Sequence, residues 1–339
     1  MGHRNHGLHA PGGGRSRISA LINLPLWLDP AGPFVLLSGL VLGMGARGDK
    51  PLRRVWKRAR ELWLIHIGWM VVVLFVHETT GRLRAPSLAA AGGVLGALWK
   101  VPTLRLQALD YMNILPLFVV FFAAAPLVII AMRRGGTLAC LVVSLTLWLV
   151  TQRDPGWLRF TDVASGEEAF VLPAWQFPFL LGLACGFHGR AIAAHFSRHR
   201  GWLVPMMATL SGGVFVLAQL QRKVALRLGC HLPKALDWVF AKETWGPGRA
   251  AYTVSLLGLG YLGIDWLLGP GRGEGARPLE VLGRRSLYSF LVHLPLALLF
   301  SGLGLYFAPI FVQDLAAVLS LVAVYHMARN DVLGRYIPN

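Results

Sequence analysis

The run Gly32-Pro33-Phe34-Val35-Leu36-Leu37-Ser38-Gly39-Leu40-Val41-Leu42-Gly43 is apolar throughout except for one Ser-Gly pair. Arg47, Lys50, Arg53, Arg54, Lys57, Arg58 and Arg60 follow it directly. An apolar stretch of membrane length that exits into a basic loop reads as a crossing whose exit is cytoplasmic, because short Lys/Arg-rich loops stay on that side. The same pattern recurs along the chain, and it decides the fold class. The expected fold is all-α, a polytopic bundle of about nine transmembrane helices.

Composition agrees. The 339 residues are 55% hydrophobic and 14% charged, whereas soluble domains carry about 25% charged residues. The net charge of +17 does not indicate nucleic acid. The cations sit in short connections between apolar runs, where they orient helices and meet anionic lipid headgroups. Membrane lipids are therefore expected partners and nucleic acid is not. Cys140, Cys185 and Cys230 have neither disulfide-framework nor metal-site spacing.

The expected spans lie near 24–45, 61–77, 113–132, 137–151, 171–187, 202–220, 252–268, 286–303 and 306–327. The stretch 86–101 is apolar but short and Gly-rich, and reads as re-entrant or interfacial. With the loop 46–60 in the cytoplasm, Arg133 and Arg134, the loops 188–201 and 269–285 and the C-terminus are cytoplasmic too. The net-acidic loop 152–170 is then external. The loop 221–251 also falls outside, yet it carries Arg222, Lys223, Arg227, Lys234, Lys242 and Arg249. Either that loop has a role, or the helix count is off by one there. The organisation is a polar tail over 1–20, a transmembrane domain over 21–330 and a cytoplasmic tail over 331–339.

Five segments, in order, carry a family resemblance. They are Pro33-Phe34-Val35-Leu36-Leu37-Ser38-Gly39 before the Arg-rich loop, Met112-Asn113-Ile114-Leu115-Pro116-Leu117-Phe118, Leu172-Pro173-Ala174-Trp175-Gln176-Phe177-Pro178-Phe179-Leu180-Leu181-Gly182, Lys242-Glu243-Thr244-Trp245-Gly246-Pro247-Gly248-Arg249, and Leu282-Gly283-Arg284-Arg285-Ser286-Leu287-Tyr288-Ser289-Phe290. Together they resemble the OpgC-type branch of the membrane acyltransferases. The resemblance implies a multi-pass enzyme of the bacterial inner membrane that places succinyl- or acetyl-type groups on an envelope glycan. It implies ten helices, the first ending in a His followed by x-Pro-Gly. His9-Ala10-Pro11-Gly12 is similar to that ending, so the chain is expected to begin just after the family's first helix.

Acyl transfer to a sugar hydroxyl needs a base, donors for the carbonyl oxyanion and cations for an anionic donor. His9 is the first candidate base through the family match; by itself it is one of several histidines in a polar tail. His66 and His293 lie within apolar helices, where ionisable residues mark function or bond a neighbouring helix. Arg53, Arg54, Lys57 and Arg58, at helical spacing, suit the phosphates of an acyl-CoA donor; they also suffice as a topology signal. Acyl-CoA is expected as a substrate, with no tightly bound cofactor and no metal. For the glucan or polysaccharide acceptor, Trp175 offers a ring face, Gln176 an amide, and Lys242 and Arg249 positive charge. Trp175 also suits an interfacial belt, and the two cations a solvated loop. Ser38-Gly39 reads as a close-packing point rather than a nucleophile. The rival functions are a glycan or lipid transporter and a non-catalytic membrane subunit.

Overall fold

The computed structural model describes residues 31–46, 52–80, 88–106, 114–158, 170–228, 234–267, 288–289, 292, 309–330 and 332. Among these, regular structure is entirely helical: α1 (Ala31–Gly45), α2 (Leu52–Thr80), α3 (Leu88–Ala91), α4 (Gly93–Lys100), α5 (Ile114–Arg133), α6 (Thr137–Arg153), α7 (Leu172–Phe187), α8 (Gly189–Arg198), α9 (Arg200–Leu228), α10 (Lys234–Val239), α11 (Pro247–Leu267) and α12 (Ile310–Arg329). The chain divides into two compact units, Leu28–Gly263 and Met1–Trp27 with Ile264–Asn339.

Four described helices are long and apolar enough to cross a membrane, within α2, α5, α9 and α12, and a fifth span results if the bent pair α7–α8 counts as one. The expected spans at 24–45, 137–151 and 171–187 instead contain helices of 15, 17 and 16 residues. At about 1.5 Å per residue these are short of the ~30 Å hydrocarbon core. The expected span 252–268 lies in α11, and 286–303 falls mostly outside the described residues. The chain is thus a helical protein with membrane-type spans.

In the larger unit, α1 and α7 pack backbone to backbone. Gly39 and Gly43 face Gly182 and Gly186, and a Cβ at any of them would collide with a carbonyl of the other helix. Small residues four apart on both helices permit this approach, and dispersion and close fit then replace the hydrophobic drive that is missing between helices in lipid. Ser38 donates to its own helix, Oγ to the Phe34 carbonyl at 2.7 Å. The Ser-Gly pair is a packing point, as its residue types indicated. Phe118, Phe121 and Phe122 of α5 and Phe179 of α7 complete the core beside this seam.

Long-range hydrogen bonds sort the connections into two ends. At one, Arg133 donates to the Ala46 carbonyl at 2.8 Å, and Thr137 Oγ1 lies 3.0 Å from His188 Nε2. At the other, Gln152 and Trp148 of α6 and Trp175 of α7 all bond the segment Glu243–Trp245. The basic loop segment that broke the charge rule therefore belongs with the end of α6 that leads into the acidic loop.

In the smaller unit, Tyr288, Val292, Val324 and Ala328 form a buried cluster with Met327 against it. The Tyr288 hydroxyl donates to the carbonyls of Met327 and Val332. On the other side of α12, Phe311, Leu315, Leu319 and Val322 are exposed, as lipid-facing residues are.

Candidate active site

The polar group that the fold treats most unusually is His66. It is the midpoint of α2, fourteen residues from Leu52 and fourteen from Thr80 (66 − 52 and 80 − 66), about 21 Å from either helix end. Ala59, Leu62, His66, Met70, Val73 and Leu74 form the buried stripe of α2, and this helix packs on α5. The imidazole is fully buried. The Val101 backbone lies beside it, yet neither ring nitrogen meets a partner in hydrogen-bond geometry among the described residues. One turn further on, Trp69 Nε1 is also buried without a partner. Each such unmade bond costs on the order of 1–3 kcal/mol.

A second element approaches the same depth. The amide of Leu88 donates to Glu78 Oε1 near the end of α2, and Trp63 Nε1 donates to the Pro102 carbonyl at 2.8 Å. The two anchor points are fifteen residues apart on α2 (78 − 63), or about 22 Å. The segment Leu88–Pro102 therefore runs back along α2 to its middle. The stretch read as re-entrant or interfacial is a short, broken pair of helices held against α2. Gly92 and Gly93, at φ 87° and 79°, break it into α3 and α4. Its tip folds under Lys100, whose carbonyl takes the amides of Arg105 and Leu106, with Leu104 at φ 62°. Val101, Leu104 and Leu106 are buried, whereas Leu95, Leu98 and Trp99 are exposed. Irregular backbone at membrane depth is tolerated only where protein or a cavity covers it. Here the tip lies against α2 one turn from His66.

The basic start of α2 splits. Arg53, Arg54, Lys57 and Arg60 are exposed, and Lys57 lies 3.6 Å from Glu61 in an exposed pair that adds little stability. Arg58 turns inward, its guanidinium 5.6 Å from the centre of the Phe122 ring. It lies eight residues before His66 (66 − 58), about 12 Å along the helix.

The residues expected at the acceptor meet at the other polar place in the fold, with a different character. Trp175 is fully buried. Its Nε1 donates to the Glu243 carbonyl at 2.9 Å, and Phe170 packs on its ring edge to face. The open aromatic face anticipated for a sugar is not there, because the indole fills the core beside Trp245. The amide of Gln176 is equally occupied. Its Oε1 accepts from Ser144 Oγ at 2.6 Å, and its Nε2 donates to the carbonyls of Ser144 and Pro173. Gln152 exchanges two bonds with Thr244, and Trp148 Nε1 bonds the Trp245 carbonyl. Trp245 takes φ 49°, and Gly246 sits where a Cβ would strike the Trp238 and Val239 carbonyls. Arg249 holds the Phe240 carbonyl through Nε at 2.6 Å. Lys242 is exposed, its ammonium 5.5 Å from the centre of the Phe170 ring.

His9 and His293 lie outside the described residues. Sequence reasoning missed Trp63, Trp69 and the 100–106 turn. For Trp63 and Trp69 the available signal was helical spacing to His66; the turn had none. Among the described residues there is no group of His, Cys, Asp and Glu arranged to hold a metal.

No curated protein and no solved structure matches the chain. The family model described as OpgC protein matches residues 27–331, which covers the 88–106 segment and His66, and the chain belongs to the OpgC family.

Proposed function

We propose that the chain transfers a succinyl- or acetyl-type group from a cytoplasmic acyl-CoA-type donor to a hydroxyl of an envelope glucan or related glycan. In this reading it crosses the bacterial inner membrane nine times. The observation that carries the reading is His66. In a member of a glucan-modifying family, a buried imidazole whose ring nitrogens meet no partner in hydrogen-bond geometry among the described residues sits at mid-helix beside the 100–106 turn. A neutral imidazole offers one lone pair and one N–H, which is what a general base for a hydroxyl requires.

The chemistry balances as follows. The sugar oxygen attacks the thioester carbonyl while His66 takes its proton. The carbon–sulfur bond then breaks, an ester remains on the glycan, and the thiolate leaving group receives the proton. The Trp69 indole N–H, buried and unpartnered, is the donor available to the carbonyl oxyanion. Arg58 is the inward cation at the donor side, and exposed Arg53, Arg54 and Lys57 attract its phosphates. On the acceptor side Lys242 is the accessible cation, whereas Arg249 holds its own loop.

Membrane vesicles containing the full chain, given acyl-CoA labelled in the acyl group and a glucan acceptor, test the proposal. Label should appear on glucan with the native chain and fall to background with His66→Ala. Equal labelling by both chains would remove His66 as the base. No labelling by the native chain with either succinyl- or acetyl-CoA would remove the donor assignment. Lys242→Met should raise the KM for glucan and leave that for acyl-CoA unchanged; an unchanged KM for glucan removes Lys242.

A further inference from the structure

Helix α8 belongs to none of the chemistry above. It follows α7 after a bend of 83° at His188, so an apolar helix of membrane character is continued by one turned nearly across it. Between residues 188 and 202 the chain has Arg190, Arg198 and Arg200, with His188, His195 and His199, and no Asp or Glu. Ile192 and Phe196, four apart, form the half-buried stripe, and Phe196 packs edge to face on Tyr261 of α11 with ring centres 6.1 Å apart. Arg190, His195, Arg198 and Arg200 are exposed, and no residue of α8 is fully buried. Trp202, two residues past the last arginine, is 52% exposed. The turn carrying exposed Arg134 lies at the same end, joined through the Thr137–His188 contact, and residues 131–139 also lack a carboxylate.

We infer that α8, with Arg200 and Arg134, is a binding surface for anionic phospholipid headgroups at the membrane face. A helix turned across an apolar one, apolar beneath, basic above and followed by an exposed tryptophan, fits the interface plane. Arginine binds phosphodiesters with paired donors. The uncompensated charge selects anionic over zwitterionic lipid. Occupied by lipid, the surface holds the inner end of α7, and with it the glycine seam. This site is independent of the reaction and of the residues assigned to it.

The test titrates the full chain, in neutral detergent, with phosphatidylglycerol or with phosphatidylcholine and follows the thermal unfolding midpoint. Phosphatidylglycerol should raise the midpoint at lower concentration than phosphatidylcholine does. Replacing Arg190, Arg198 and Arg200 together by Ala should require on the order of 100-fold more phosphatidylglycerol for the same rise, whereas replacing all three by Lys should largely restore it. An equal response of the native chain to both lipids overturns the inference, as does an unchanged phosphatidylglycerol response in the triple Ala chain. If the triple Ala chain does not fold, the native chain in 1 M NaCl decides: the preference should vanish where the Debye length is about 3 Å, and its persistence would count against the site.

Discussion

Two buried polar places in the larger unit obey opposite rules. Around Thr244 and Trp245, donors find acceptors across α6, α7 and the 241–246 turn: Trp148, Gln152 and Trp175 each bond a backbone carbonyl of three consecutive residues. Around His66, two ring nitrogens and the Trp69 indole nitrogen are buried and meet no partner in hydrogen-bond geometry among the described residues, with the Val101 backbone beside the imidazole. The first place earns its stability from complete satisfaction. The second forgoes it, and a fold that leaves hydrogen-bonding groups free at membrane depth keeps them for something that arrives. The difference sets Trp175 and Gln176, whose polar atoms are committed to the fold, against His66, the residue on which the proposed chemistry rests.

The largest expected effect tests the unsatisfied side. His66→Leu should lower acyl transfer by about 10²–10⁴-fold, the usual worth of a positioned base. The unfolding midpoint should hold or rise, because a buried polar group without partners is replaced by an apolar one and no hydrogen bond is lost. Activity and stability moving in opposite directions is the signature. A fall in both would place His66 with the structural residues and erase the contrast.

Next comes the satisfied side. Trp245 is fully buried with φ 49°, so Trp245→Ala removes a large core side chain and should cost about 3–5 kcal/mol in unfolding free energy. A loss below ~1 kcal/mol would mean that the turn is held by its backbone bonds alone.

The contrast between the two places was half legible in the sequence. His66 announced itself, since an ionisable residue in an apolar run is conspicuous. The Gly-rich, undersized 86–101 stretch announced a short element that is broken rather than one continuous span. Ser38-Gly39 announced close packing, but its partner did not: Gly182 and Gly186 carry the matching spacing 143 residues later (182 − 39), and spacing alone does not say which helices face each other. The bonds that separate the two places are of that kind. Trp63 reaches Pro102 across 39 positions, and Gln152 reaches Thr244 across 92. Neither pair has a local signature, so tryptophan and glutamine near a helix end suggested a ligand site when their donors were already committed to backbone.

A smaller effect sharpens the satisfied side. Gln152→Leu leaves the Thr244 carbonyl and hydroxyl without the partners they have at 2.7 and 3.2 Å, at a cost of about 1–3 kcal/mol. Thr244→Val added to it should cost much less than it does alone, because the hydroxyl is already stranded; a coupling of at least ~0.5 kcal/mol is expected from groups in one network. Strict additivity would show that the pair acts through other contacts.

The smallest expected effect is the most discriminating for Trp175. Trp175→Phe keeps an aromatic ring in the core and removes the N–H that reaches Glu243. The Glu243 carbonyl retains a second donor, the Val171 amide at 3.0 Å, so no acceptor is orphaned and the loss should be about 1 kcal/mol. Because the ring is wholly enclosed, glucan has no face to stack on, and the KM for glucan should not move. Thermal unfolding and glucan titration on the same preparation separate the two roles. A KM raised tenfold with an unchanged midpoint would mean that the 241–246 turn opens during turnover and that the indole meets the sugar then. The satisfied knot would in that case be a closed state of the acceptor site, and the opposition between the two places would become one of timing.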